Sequence, residues 1–79
     1  MDYVIEVHTE RDDTEARAVA TMEGLLGSYQ GQGRAPRNPK VQNKFPVATG
    51  LAIARALRSL EVEIMELVHE EIDRYTGDV

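Results

Sequence analysis

From Tyr3 to Glu10 apolar and polar side chains alternate, with Tyr3, Ile5, Val7 and Thr9 on one side and Val4, Glu6, His8 and Glu10 on the other. A period of two is the mark of a half-buried strand, so the pattern predicts strand 1 over 3–10. Arg11 to Asp13 is short and charged, and Asp12 and Asp13 suit a turn because their carboxylates accept hydrogen bonds from nearby amides. Ala16, Ala18, Ala20 and Met22 then alternate with Arg17, Val19 and Thr21, predicting strand 2 over 14–22 and a hairpin. So much alanine also favours helix by propensity, but small residues on the inward face leave room for a bulky helix laid across a sheet. Glu23 and Gly24 read as the second turn. Leu25 to Arg34 reads as strand 3 (25–34) and holds Gly27, Gly31 and Gly33. Glycine inside a strand marks a bulge, a bend or the close approach of another element, and here the visitor is the helix.

Pro36, Pro39 and Pro46 with Asn38 and Asn43 exclude regular structure from 35–46, a connection that also carries Lys40 and Lys44. Beyond it Ile53, Leu57, Leu60, Ile64, Leu67, Val68 and Tyr75 recur at steps of three and four, which predicts one amphipathic helix over about 47–75. These seven residues are the expected core or dimer face. Arg55, Ser59, Glu63, Glu66, Glu70 and Asp73 occupy the other side, and Thr49 is placed to cap the start. Val62 falls on the polar side and Glu71 inside the apolar stripe, and a bend near 68–69 would turn Ile72 and Tyr75 inward. The expected architecture is therefore α+β, a three-stranded antiparallel sheet packed on a long C-terminal helix, in a single domain spanning 1–79.

Size changes the picture, because a chain of 79 residues buries only about 60% of its unfolded surface and a monomer would be marginal. The sequence has no cysteine to form a disulfide or thiolate site, and His8 and His69 lie too far apart in sequence to read as a zinc pair. No cofactor or metal is expected, and a homodimer is the remaining source of stability. No leader segment and no apolar run near the roughly 20 residues of a membrane span are visible, which points to a cytoplasmic protein without a membrane partner.

The net charge of -5 is unevenly spread: residues 31–46 carry four bases and no acid, whereas residues 61–79 carry seven acids and one base. An acidic whole argues against general affinity for nucleic acid, but a basic loop can bind locally. Arg34, Arg37, Lys40 and Lys44, extended by Arg55 and Arg58 on the helix, are the candidate contacts for RNA or a protein partner. No Ser, His and acid form a nucleophilic arrangement, and Asp12 with Asp13 or Glu70 with Glu71 read as hydrated charge runs, so the expectation is a protein that is not an enzyme. Gly31 and Gly33 lack the third glycine of a phosphate cradle. The P-x-x-P spacing of Pro36 and Pro39 is too common to carry weight.

Gly31, Gly33, Ala35, Asn38-Pro39, Leu51, the ARAL of Ala54 to Leu57 and Leu60 together resemble the signature of a small actinobacterial family of unknown function, whose members include mycobacterial dormancy-associated proteins. The TEARA of Thr14 to Ala18, with Ile72 and Thr76, falls in step, so the resemblance covers nearly the whole chain. It implies a β-β-β-α fold similar to the double-stranded-RNA-binding domain, assembled as an intertwined dimer, and by analogy with ribosome hibernation factors a ribosome or structured-RNA partner. Tyr3 stands where the family has Trp, and Val47, Ala48 and Thr49 stand where RNA-binding relatives of the fold carry lysines. Two functions follow as expectations: a stress-related dimer docking on the ribosome or structured RNA through the basic loop, or a protein-interaction module with no nucleic-acid role, whose acidic helix end, Glu61 to Asp73, or exposed sheet edge engages a protein partner.

Overall fold

Ala16, Ala18, Ala20 and Met22 are buried while Arg17, Val19 and Thr21 between them are only half-covered, so the period of two in the sequence is a strand that buries one face. The computed structural model describes residues 1–24, 27–37 and 47–76. It contains β1 (Ile5–Arg11), β2 (Glu15–Gly24), β3 (Gly27–Pro36) and one helix, α1 (Val47–Thr76). The strands form an antiparallel sheet in the order β1-β2-β3, and the chain is an α+β, β-β-β-α arrangement.

The strands are displaced from their expected bounds. Glu23 and Gly24, read as a turn, belong to β2, which ends on the pair Gly24–Gly27. Gly24 has φ +120°, a conformation open to glycine, and a Cβ there would lie 2.7 Å from the Tyr3 ring. β3 runs on through Ala35 and Pro36, so the connection is shorter than 35–46; Leu25, Leu26 and residues 38–46, with Lys40 and Lys44, lie outside the described residues.

Register decides which backbone groups face which way. Asp12 N donates to Glu15 O at 3.0 Å, one step beyond the Arg11–Ala16 pair. Bonded and non-bonded pairs alternate in an antiparallel ladder, so Ile5, Val7, Thr9 and Arg11 turn their N–H and C=O groups away from β2. On the other side Arg37 N donates to Thr14 O at 3.0 Å, and the same counting turns Gln30, Gln32, Arg34 and Pro36 outward along β3. The N–H that Pro36 lacks would have faced outward, so the proline removes no ladder bond.

The helix packs on β2 and β3 through its smallest residues. Ala52, Ala56 and Leu60 are buried against Ala16, Ala18, Ala20, Met22, Tyr29 and Ala35, with Ala48, Ile53, Ile64 and Leu67 partly buried around them. A Cβ at Gly31 would collide with Ala56 O and Leu60 N, and one at Gly33 with Ala52 O and Ala56 N; Leu60 Cα and Arg55 Cβ would stand 2.8 Å away. The two glycines therefore admit the helix backbone itself.

This corrects the expected face. Leu60 is core, and Ile53, Ile64 and Leu67 border it, but Leu57 and Val68 are each 39% exposed and Tyr75 78%. The contact line is turned by roughly 60° from the Ile/Leu stripe, at 100° per residue. The helix is not the bulky partner expected over the alanines: small residues meet on both sides. It continues uninterrupted through Val68 and His69, Ile72 and Tyr75 stay exposed, and Thr49 lies within the first turn instead of capping it. At 30 residues and about 1.5 Å per residue the helix is near 45 Å long, longer than the ten-residue strands beneath it at about 3.3 Å per residue. Glu71, inside the apolar stripe, is half-buried and pairs with Arg74 at 3.4 Å.

Candidate functional site

Arg34 and Arg17 are direct cross-strand neighbours on the outer face of the sheet, with Glu10 next in the same row. Like charges placed so repel unless neighbouring acids hold one of them. Arg17 is held: Nη1 donates to Glu15 Oε1 at 2.9 Å and to Asp12 Oδ2 at 3.1 Å, and Nη2 lies 3.8 Å from Glu10 Oε2. Glu15 first, then Asp12, raises the Arg17 pKa. Asp12 Oδ1 accepts from Thr14 N and Thr14 Oγ1 at 2.8 Å and from Glu15 N at 2.9 Å. These bonds, led by the Glu15 amide, hold its carboxyl well below the usual carboxylate range.

Arg37, one residue past the end of β3, closes the same corner, Nη1 donating to Asp12 O at 2.6 Å. Arg55 reaches down from α1 and donates from Nη1 to Arg34 O at 2.7 Å. The structure thus brings Arg34, Arg37 and Arg55 to the end of β3, but two of these guanidinium groups bond backbone carbonyls and the corner holds Asp12, Glu15 and Arg17 as well. Arg58 is exposed on the helix, away from the sheet. The described part of the candidate basic surface is therefore a mixed-charge clamp on the β1–β2 turn with Arg34 exposed on the sheet.

The opposite flank carries four of the residues expected in the core or dimer face, Ile53, Leu57, Ile64 and Val68. Arg55 and Glu63 both reach β3, Glu63 Oε2 accepting from Gln30 N at 2.8 Å, so helix side chains occupy two of the outward-facing groups of that edge. Leu57, about 200° from Arg55 around the helix, lies on the other flank with Ile53, Ile64 and Val68, toward β1. Beneath them Ile5 and Val7 share the helix-facing side of the sheet with Ala20 and Met22 and are nevertheless exposed. A helix about 10 Å across covers two strands spaced about 4.8 Å apart and leaves the third bare. That mismatch was the available signal.

Little else offers chemistry. An open cleft of about 510 Å³ near the N-terminus is lined by Asp2, Glu6 and Glu23 with Tyr3 and Tyr29, and among the described residues by no histidine, lysine or arginine. Among the described residues no group of three or more His, Asp or Glu is placed to hold a metal ion. No helix among them is long and apolar enough to cross a membrane.

Among the described residues, the fold and surface define a small α+β arrangement whose helix packs on β2 and β3 and leaves β1 exposed. The chain belongs to the Rv2632c-like family, whose model matches residues 1–79. It is similar to the crystal structure of Rv2632c, a mycobacterial protein, with 29% identity and a TM-score of 0.85 over 96% of this chain and 90% of that one. No curated protein matches it by sequence.

Proposed function

We propose that the chain is a non-enzymatic, cytoplasmic protein-interaction module. The observation that carries this reading is the exposure of Leu57 and Val68 on α1 and of Ile5 and Val7 on the helix-facing side of β1. Apolar residues gathered on one side of a small protein mark a contact surface more often than a solvated one. A second reading, docking on the ribosome or another structured RNA in a stress or dormancy setting, draws support from Arg34, Arg37 and Arg55 converging where the basic connection begins.

One experiment separates the two. Tagged wild-type, Leu57→Asp/Val68→Asp and Arg34→Ala/Arg37→Ala/Arg55→Ala proteins, each checked for native circular dichroism, are used to capture partners from lysate with and without nuclease. The module reading expects a protein partner, or a second copy, that survives nuclease and is lost with the aspartates. Ribosomal material that disappears with nuclease, weakens steeply with salt and is lost with the alanines supports the RNA reading instead. Neither association would overturn both.

A further inference from the structure

Arg55, Ser59 and Glu63 are spaced four apart and so form one row along α1. From Arg55 to Glu63 the helix rises roughly 12 Å at about 1.5 Å per residue, and from Arg34 back to Gln30 the strand covers roughly 13 Å at about 3.3 Å per residue. The two ends of the row therefore meet the two ends of that stretch of β3. Glu63 Oε2 accepts from Gln30 N at 2.8 Å, and Arg55 Nη1 donates to Arg34 O at 2.7 Å. Each backbone group is met by the charge that suits it, a carboxylate on an N–H and a guanidinium on a carbonyl, so both bonds are charge-assisted. Both groups face away from β2, so neither bond belongs to the ladder that builds the sheet. Pro36, the next outward position after Arg34, has no N–H to offer.

We propose that Arg55 and Glu63 shut the β3 edge against strand addition and so keep the chain from growing into an open-ended sheet. A strand edge is a template for another strand wherever its N–H and C=O groups stand free. β1, IEVHTER, has no proline, glycine or lysine to blunt it, and among the described residues it pairs with β2 alone. A sheet with one receptive edge can join one other edge and then stops. With a second receptive edge, β1 of one molecule can add to β3 of the next without limit, and head-to-tail contacts that do not close make fibres. Gln32 is the outward position left between the two bonds, too short a stretch to seat a strand. The role is the same whatever β1 engages, so it stands apart from the protein-interaction reading.

Arg55→Ala/Glu63→Ala, checked for native far-ultraviolet circular dichroism, is expected to form species that grow with concentration beyond the wild-type mass in sedimentation velocity. Arg55→Lys/Glu63→Gln, which keeps a donor and an acceptor, should hold the wild-type mass. Adding Gln32→Pro to the alanine pair removes the N–H midway along the freed edge without taking a ladder bond, and should return the mass to that of wild type. If the alanine pair fails to fold, Glu63→Ala alone carries the test. Its mass should rise with concentration, and its Gln30 amide should exchange with solvent about tenfold faster or more than in wild type, having lost a hydrogen bond to a charged group. A folded alanine variant that keeps the wild-type mass across the micromolar range, growth that survives Gln32→Pro, or an unchanged Gln30 amide in Glu63→Ala would overturn the proposal.

Discussion

Asp12 shows how much one side chain in a turn can organise. Its Oδ1 takes both the amide and the hydroxyl of Thr14 and the amide of Glu15, its Oδ2 takes Arg17, and its carbonyl takes Arg37. Bonds to the charged form lower the folded pKa below the unfolded value near 4. The resulting stability is complete above that unfolded value and is lost as pH falls below it toward the folded pKa. Asp12→Asn, which keeps an uncharged acceptor, is therefore expected to melt below wild type at neutral pH, with the gap closing below about pH 4. Thermal unfolding at both pH values checks this, and an equal gap at each would show that the charge contributes nothing. The carboxylate turn was legible from Asp12 and Asp13 in a row. The capture of Arg37, just past β3, was not, because no local pattern records which strand ends meet.

At the scale of elements the same substitution should have opposite signs in two places. Gly50 lies inside α1 with nothing near its missing Cβ, so Gly50→Ala removes only the entropic penalty of helical glycine and should stabilise by about 0.5–1 kcal/mol. Gly33 faces the backbone of Ala52 and Ala56, and Gly33→Ala must lift the helix, an overpacking that costs about 1–3 kcal/mol. Denaturant unfolding of both variants, read as midpoints at constant slope, checks the pair. The helix itself was legible from its periodicity, but its buried line was not. Hydrophobicity points to Ile53, Leu57 and Ile64, whereas Gly31 and Gly33 set two steps apart on a strand select Ala52 and Ala56 set four apart on a helix. Matching small residues across elements needs the register of both.

At the scale of the whole molecule, the core formed by the described residues is thin: six of the nine buried residues among them are alanine, and Leu60 is their one large, fully enclosed side chain. Each buried methylene contributes about 0.8 kcal/mol, so such a core leaves a single chain little margin. A partner that binds only the folded state adds stability by mass action. If the exposed apolar flank is shared between copies, the melting temperature of wild type is expected to rise with protein concentration, and that of Leu57→Asp/Val68→Asp to stay constant. Scans over a wide dilution series check this, and a wild-type value independent of concentration would count against self-association.

The order of strands and helix, the inward alanines of β2, the turn at Asp12 and the visit of the helix to the β3 glycines were all determined by the sequence alone. Each is encoded by neighbours a few residues apart, through side-chain alternation, helical spacing or the conformational freedom of glycine. Only the tertiary structure decided that the helix settles on its alanines, that Arg37 and Arg55 bond backbone carbonyls, and that β1 stays uncovered. Those outcomes depend on how closely two backbones approach and on one helix being too narrow for three strands, quantities that arise only when distant segments meet.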